Sequence, residues 1–180
     1  EVHAGVRKPE DGAALVEELG EGATGSIVPV VIDVTDDASI AAAAATLPAQ
    51  LDGVVNNAGI VVDGPVESLT RERLTEQFDV NVAGAVAVTR AVLPKIRAAK
   101  GRVVFISSES AVQLPTEFLH YGVTKTSQLG VSRGLAELTK GYQTGVFTRA
   151  IAPSPGRKVW DLPAPAGRSG VLSTASGLIF

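Results

Sequence analysis

The sequence predicts an α/β fold, a doubly wound and mostly parallel sheet covered by helices on both sides. Three observations carry this. Short apolar runs closed by small polar residues alternate with longer stretches of helical period. The run at 103–106 shows no apolar/polar alternation, as suits a strand buried on both faces. The stretches between the runs are long enough for the right-handed crossovers that parallel strands require.

Taken in order, residues 2–6 read as a strand ending at Arg7 and Lys8. Pro9 then starts a helix, since its missing N–H is not needed in the first turn. Ala13, Leu15, Val16 and Leu19 give that helix an apolar stripe, and Gly20 or Gly22 ends it. Residues 27–32 form the next strand. Asp33 closes it, and Thr35 or Asp36 caps the following helix, an alanine-rich one over 40–47. Residues 51–55 form a further strand, followed by Asn56, Asn57 and Gly59.

Thr70 is an N-cap for a long helix. Its apolar face carries Leu74, Phe78, Val82, Val86, Val92 and Ile96, and Asn81 lies next to that face. A buried asparagine without partners is costly, so Asn81 must hydrogen-bond something. The run at 103–106 ends in Ser107 and Ser108; a loop follows, then a helix with Tyr121 and Lys125. Residues 144–152 are the last strand candidate, interrupted by Thr148 and Arg149. Val159 and Trp160 begin another segment, 163–170 reads as a loop, and 173–180 as a short strand or an irregular end.

Tyr121 and Lys125 stand at i and i+4, so both side chains leave one face of a helix. A phenol titrates near pH ~10 and is a poor base at neutral pH. An ammonium close by favours the phenolate and lowers that pKa. A tyrosine so tuned takes a proton from an alcohol or gives one to a carbonyl oxygen. A serine hydroxyl can hold the same oxygen, and Ser108, or Ser107 as runner-up, ends a strand nearby. Consecutive strand residues point to opposite faces, so only one of the two can serve. Proteins delegate hydride transfer itself to a nicotinamide.

Composition narrows the class. One domain is expected from 180 residues, with a real core. Net charge is −3 with no basic block, which argues against a nucleic-acid face. The absence of cysteine excludes disulfides and thiolate chemistry. His3 and His120 lack companions at ligand spacing, so no metal site is expected. No run reaches the ~20 apolar residues of a membrane span. No basic and apolar leader opens the chain, so a cytoplasmic place is expected. There is no methionine, and a processed product, a fragment or an incomplete chain is expected.

The spacing of these residues resembles a known family. Tyr121-x-x-x-Lys125, with Ser108 thirteen residues before the tyrosine, resembles the active site of the short-chain dehydrogenase/reductase family. Asn56-Asn57-Ala58-Gly59 resembles its N-N-A-G segment, and Asn81 sits where it carries a fourth catalytic residue. Asp33-Val34 resembles the acidic dipeptide that faces the adenine. Ala150-Ile151-Ala152-Pro153-Ser154-Pro155 resembles an A-I-A-P-G-P segment, with Ser154 in place of glycine. Five matches in the right order over residues 2–160 are specific, whereas a lone Y-x-x-x-K would be weak.

The resemblance implies a Rossmann-like core over 1–160 and an irregular tail over 161–180, lacking the family's first strand and Gly-rich turn. It implies Asn81, Ser108, Tyr121 and Lys125 as catalytic residues, with Ser108 and Tyr121 meeting an alcohol or carbonyl substrate. In the family the asparagine perturbs its helix and holds a water in a relay to the lysine. Arg7, Asp33, Val34, Asn57, Ala58, Gly59, Tyr121, Lys125 and Pro153 would hold the cofactor. An acidic residue after the first strand here would favour NAD. The sequence has Val6 and Arg7 instead, and a guanidinium suits a 2′-phosphate, so NADP is expected and NAD is the alternative. As plain structure, Arg7 and Lys8 are solvated charges at a strand end. The family forms homodimers or homotetramers through two long helices, here 70–99 and 119–140. A second reading stays open: a non-catalytic remnant that serves as a binding or structural module.

Overall fold

The structure, a computed structural model, describes residues 1–19, 24–139, 145–151 and 158–163. The expectations for Gly20, Gly22, Pro153, Ser154, 164–170 and 173–180 lie outside the described residues. Strands and helices alternate as β1 (Val2–Val6), α1 (Pro9–Leu19), β2 (Ile27–Val31), α2 (Asp37–Thr46), β3 (Gly53–Asn56), α3 (Arg71–Phe78), α4 (Ala85–Ala98), β4 (Arg102–Ser107), α5 (Leu119–Leu138), β5 (Gly145–Ile151) and β6 (Lys158–Pro163). The fold is α/β, as expected.

The strands form two sheets. β1 pairs in parallel with β2, Val2 opposite Ile27 through Val6 opposite Val31. The second sheet runs β3-β4-β5-β6, parallel until β6, which is antiparallel to β5. No described strand joins β1 to β3. β6 continues to Pro163, past the expected core boundary at 160.

The long helix expected from Thr70 is interrupted. Thr70 caps α3 by accepting from the Arg73 N–H at 3.3 Å. Residues Asp79–Gly84 then form a π-helical turn before α4. A wider turn changes which residues face the core. Buried side chains run Gln77, Asn81, Ala85, Thr89, Val92 and Ile96, at steps of four through the π turn, where Gly84 is buried as well. Val82 is therefore only partly buried, and Val86 is 42 % exposed, although ordinary helical period places both on the apolar face. A smaller correction concerns α1. Ala13 and Val16 are exposed, and Gly12 and Leu15 turn inward.

The core lies where α4 and α5 cover the second sheet. Ala85, Val92, Ile96, Val103, Phe105 and Ala136 form its buried centre, and Leu47, Leu51, Val54, Val131 and Leu135 pack around it. Asn56 is a structural tie. Its Nδ2 donates to Thr89 Oγ1 at 2.9 Å, which fixes the end of β3 to α4. Asp36, not Thr35, caps α2 by accepting from the Ala38 N–H at 2.8 Å. Lys95 donates to the carbonyls of Leu47 and Pro48 at 2.8 and 3.1 Å, which closes the other end of α2.

Close approach of α5 to the loop after β4 depends on Gly122. A Cβ there would sit 2.6 Å from Ser110 O and 3.2 Å from the Leu114 side chain. Gly122→Ala should therefore destabilise the chain by about 1–3 kcal/mol through overpacking. Gly130 and Gly134, on the same helix, have open space where a Cβ would go. Alanine at either should stabilise the isolated chain by about 0.5–1 kcal/mol, because only the backbone entropy changes. Urea unfolding of the three variants checks the opposite signs.

Candidate functional site

The carboxyl ends of the parallel strands present the candidate residues. Arg7 follows β1, Asp33 and Val34 follow β2, Asn57 to Gly59 follow β3, and Ser108 follows β4. This edge is where open α/β sheets bind ligands.

At the first pair of strands, Asp33 is exposed and turns the chain. Its Oδ1 accepts from the Thr35 hydroxyl at 2.7 Å and the Thr35 N–H at 2.9 Å. These bonds hold its carboxyl below the usual carboxylate range, and the Arg7 guanidinium pulls in the same direction. Arg7 and Asp33 thus lie within electrostatic reach of one another. Val34 is partly buried against the π turn; a Cβ on Gly84 would stand 2.8 Å from Val34 O.

The second group is built around Asn81, which is fully buried in the π turn. Its Oδ1 accepts from the Ile60 N–H at 2.8 Å, and its Nδ2 donates to Ile60 O at 2.9 Å and to Thr124 Oγ1 at 3.1 Å. One side chain therefore satisfies both main-chain groups of Ile60. The same is done for Val62 by two residues. Gln77 Oε1 accepts from its N–H at 2.7 Å, and His120 Nε2 stands 2.5 Å from its carbonyl oxygen. A carbonyl can only accept, so His120 carries a proton on Nε2. The segment leaving β3 is thus held like an edge strand, but by side chains.

Gly59 is exposed and lies between the amide and the ammonium. A Cβ at this position would be 3.4 Å from Asn81 Oδ1 and 3.6 Å from Lys125 Nζ. Asn57 and Ala58 beside it are also exposed, and Asn57 donates its N–H to Val55 O at 3.1 Å in a tight turn.

The strand end and α5 supply the rest. Ser107 is buried and its hydroxyl donates to Lys125 O at 3.3 Å. Ser108, on the other face, interacts with the Tyr121 hydroxyl. Its Oγ also accepts from the Ser110 N–H at 3.2 Å. The runner-up serine is therefore committed to the helix backbone. Lys125 is 5 % exposed; its Nζ donates to Ile106 O at 2.8 Å and to Gln128 Oε1 at 3.4 Å, and lies 5.6 Å from the Tyr121 ring centroid.

The charges correct one expectation. Burial pushes the Tyr121 phenol above its usual value, and the Ser108 hydroxyl opposes this. Burial brings Lys125 down to about 8. Burial, and not the nearby ammonium, sets the direction of the phenol's shift in this state. Both groups share a dehydrated site, and desolvation penalises either charge.

Asn81, Ser108, Tyr121, Lys125 and Gly59 meet in one place. Arg7, Asp33 and Val34 sit at the ends of the first sheet. Gln77, Thr124 and Gln128 escaped the sequence reading. The available signal was polar residues at helical steps from Asn81, Tyr121 and Lys125, on faces that ought to be apolar. Among the described residues, no group of three potential metal ligands gathers, and no helix is long and apolar enough to cross a membrane.

The family model described as short chain dehydrogenase matches residues 1–157. An uncharacterized oxidoreductase of Bacillus subtilis, YvrD, is 35% identical over 151 residues, 83% of this chain and 56% of that protein. The crystal structure of serine dehydrogenase from Escherichia coli superposes with TM-score 0.69 at 31% identity, over 78% of this chain and 65% of that one. A gluconate 5-dehydrogenase from Burkholderia cenocepacia, crystallised with NADP and tartrate, shares the fold with TM-score 0.74 at 24% identity, over 81% and 58% of the two chains. The chain spans about half the length of the curated relatives it matches. With its tyrosine, lysine, serine and asparagine gathered at the strand ends and its family match running through nearly all of the described residues, this chain belongs to the short-chain dehydrogenase family.

Proposed function

We propose that the protein is an NAD(P)-dependent oxidoreductase, preferring NADP, that interconverts a secondary alcohol and a ketone or reduces an aldehyde. The observation that carries this reading is the convergence of the Tyr121 phenol, the Ser108 hydroxyl and the Lys125 ammonium beside the exposed backbone of Gly59.

The residues fit a dinucleotide on one structural ground above all. The backbone of Gly59 is exposed and stands beside Asn81 Oδ1 and Lys125 Nζ, which a Cβ there would meet only at ordinary contact distance, so a ligand can lie against the main chain next to both. Asn57, Ala58 and Gly59 would line that groove, with Tyr121 and Lys125 at its inner wall. Asp33 and Val34 would face the adenine, and Arg7 would read a 2′-phosphate. Pro153 would contribute from the segment after β5. When bound, the nicotinamide supplies or accepts the hydride.

The chain's own residues handle the proton and the oxygen. Ser108 donates a hydrogen bond to the substrate oxygen and orients it. Tyr121 gives its phenolic proton to that oxygen during reduction and takes it back during oxidation. A phenol that burial keeps protonated suits the donor role. Once the proton has left, the phenolate is compensated by Lys125, 5.6 Å from the ring centroid. Asn81 holds Ile60, and through it the wall of the groove.

Val86 on α4, with Val123 and Leu138 on α5, leaves apolar surface on the two helices at 42 %, 37 % and 61 % exposure. That surface suits a homodimer or homotetramer. The competing reading is a binding or structural module that performs no turnover.

Three outcomes are expected. Tyr121→Phe should lower carbonyl reduction by about 10²–10⁴-fold, the usual worth of a positioned proton donor. Its NADPH affinity, followed by cofactor fluorescence, should hardly change; unchanged turnover overturns the role of Tyr121. Wild-type chain should bind NADPH saturably and Arg7→Asp should lose that preference for the 2′-phosphate. Binding of neither dinucleotide favours the structural module.

The third outcome concerns pH. Lys125 titrates at about 8 when folded, below its value of 10.5 when free. Between these values the unfolded chain holds the extra proton, so this group makes stability rise with pH. Below about 8 its burial cost is fully present, on the order of 3 kcal/mol at most. Urea unfolding at pH 7 and pH 10 should therefore show wild type gaining on Lys125→Met as pH rises.

A further inference from the structure

We infer that Gln128 is a positioning residue of the proton-transfer site: its amide ties the Lys125 ammonium to the main-chain carbonyl of Asn81. This rests on the reading of Tyr121 and Lys125 given above.

Gln128 is 1 % exposed, on α5, three residues after Lys125. Its Nε2 donates to Asn81 O at 2.7 Å, and its Oε1 accepts from Lys125 Nζ at 3.4 Å. A buried amide costs free energy unless both ends are paired, and here the acceptor end is spent on a buried cation. The short bond to the π turn fixes where Oε1 stands, since the amide is planar. The Lys125 ammonium therefore has two fixed acceptors, Ile106 O at 2.8 Å and Gln128 Oε1. The remaining proton is left for the open side, where Gly59 and the Tyr121 ring lie.

Among the described residues, no carboxylate pairs with Lys125. β4 offers it the Ile106 carbonyl and Ser107, the segment after β3 offers Gly59, and the π turn offers Asn81. Asp79 on the π turn and Glu109 after β4 are exposed, and burial alone accounts for the lowered lysine. On its own helix the facing groups are Tyr121 and Gln128. A neutral acceptor at Gln128 thus partly replaces the hydration the ammonium has lost. Without it the lysine deprotonates earlier, and the phenolate left by proton transfer loses its compensating charge.

The test reads Lys125 directly by NMR titration of lysine side-chain signals in the full chain. The Lys125 signal is assigned by its loss in Lys125→Met. Gln128→Leu should lower the Lys125 midpoint by about one pH unit, and Gln128→Glu should raise it by a similar amount. A purely structural amide would move neither midpoint, or both in one direction, and either result overturns the inference. Should Gln128→Leu not fold, Gln128→Glu decides alone, a raised midpoint supporting the tie and an unchanged one ending it. In turnover, Gln128→Leu should lower kcat at neutral pH with little change in the KM for NADPH. Activity retained in Tyr121→Phe would instead defeat the functional reading, while the opposite shifts of Lys125 would still establish the tie.

Discussion

The buried amide of Asn81 is the interaction on which the rest of the site depends. It answers both main-chain groups of Ile60, so the segment leaving β3 needs no neighbouring strand there. It also reaches Thr124 on α5. One side chain thereby registers the groove wall against the helix that carries Tyr121 and Lys125. Asn81 stands in the π turn, and Gln77, four residues earlier, holds Val62 as Asn81 holds Ile60.

A second constraint follows from dehydration. Gln77, Asn81, Thr124, Lys125 and Gln128 are nearly or wholly buried, so most of their polar atoms must find protein partners. They do so largely through one another and through main-chain groups of β4, the π turn and the segment after β3. Among the described residues, Gln77 Nε2 and His120 Nδ1 are buried without such a partner. Such a network fixes geometry more firmly than apolar packing, because a shifted partner leaves a buried group unsatisfied. It also sets the charges. The lysine is held by carbonyl oxygens, and burial brings it down to about 8. The phenol next to it stays protonated until something removes the proton. This is the state a proton donor requires.

The two sheets differ in support. The second has α4 and α5 against it and a contiguous buried centre that includes Phe105 and Ile96. The first is a pair of strands whose outer residues Val28 and Val31 remain exposed at 36 % and 50 %. Arg7 and Asp33 are carried by this lighter sheet, whereas the proton-transfer residues are carried by the heavier one. The part of the site that would discriminate between dinucleotides is therefore less constrained than the part that would move the proton.

Much was legible in the sequence. Period and punctuation placed β1 to β5 and the helical stretches to within a few residues, because apolar runs and caps such as Thr70 act locally; 70–99 reads as one helix where α3, the π turn and α4 stand, and 158–163 does not read as the strand β6. The spacing of Ser108, Tyr121 and Lys125 was readable for the same reason, since a strand end and one helical turn fix which way side chains leave. Period did not show the π turn, as one additional residue per turn leaves no mark in composition, and only the resemblance implied a perturbed helix at Asn81; Val82 and Val86 were misplaced on that account. Nor was the state of the phenol. A lysine four residues away suggests a lowered pKa, but burial depends on what covers the pair, and it raised the phenol instead. Gln128 reads in sequence as an ordinary polar residue on α5. Only the packing of α5 against the π turn decides that its amide is buried between a carbonyl and an ammonium, because a hydrogen bond between Gln128 and Asn81 joins residues 47 positions apart.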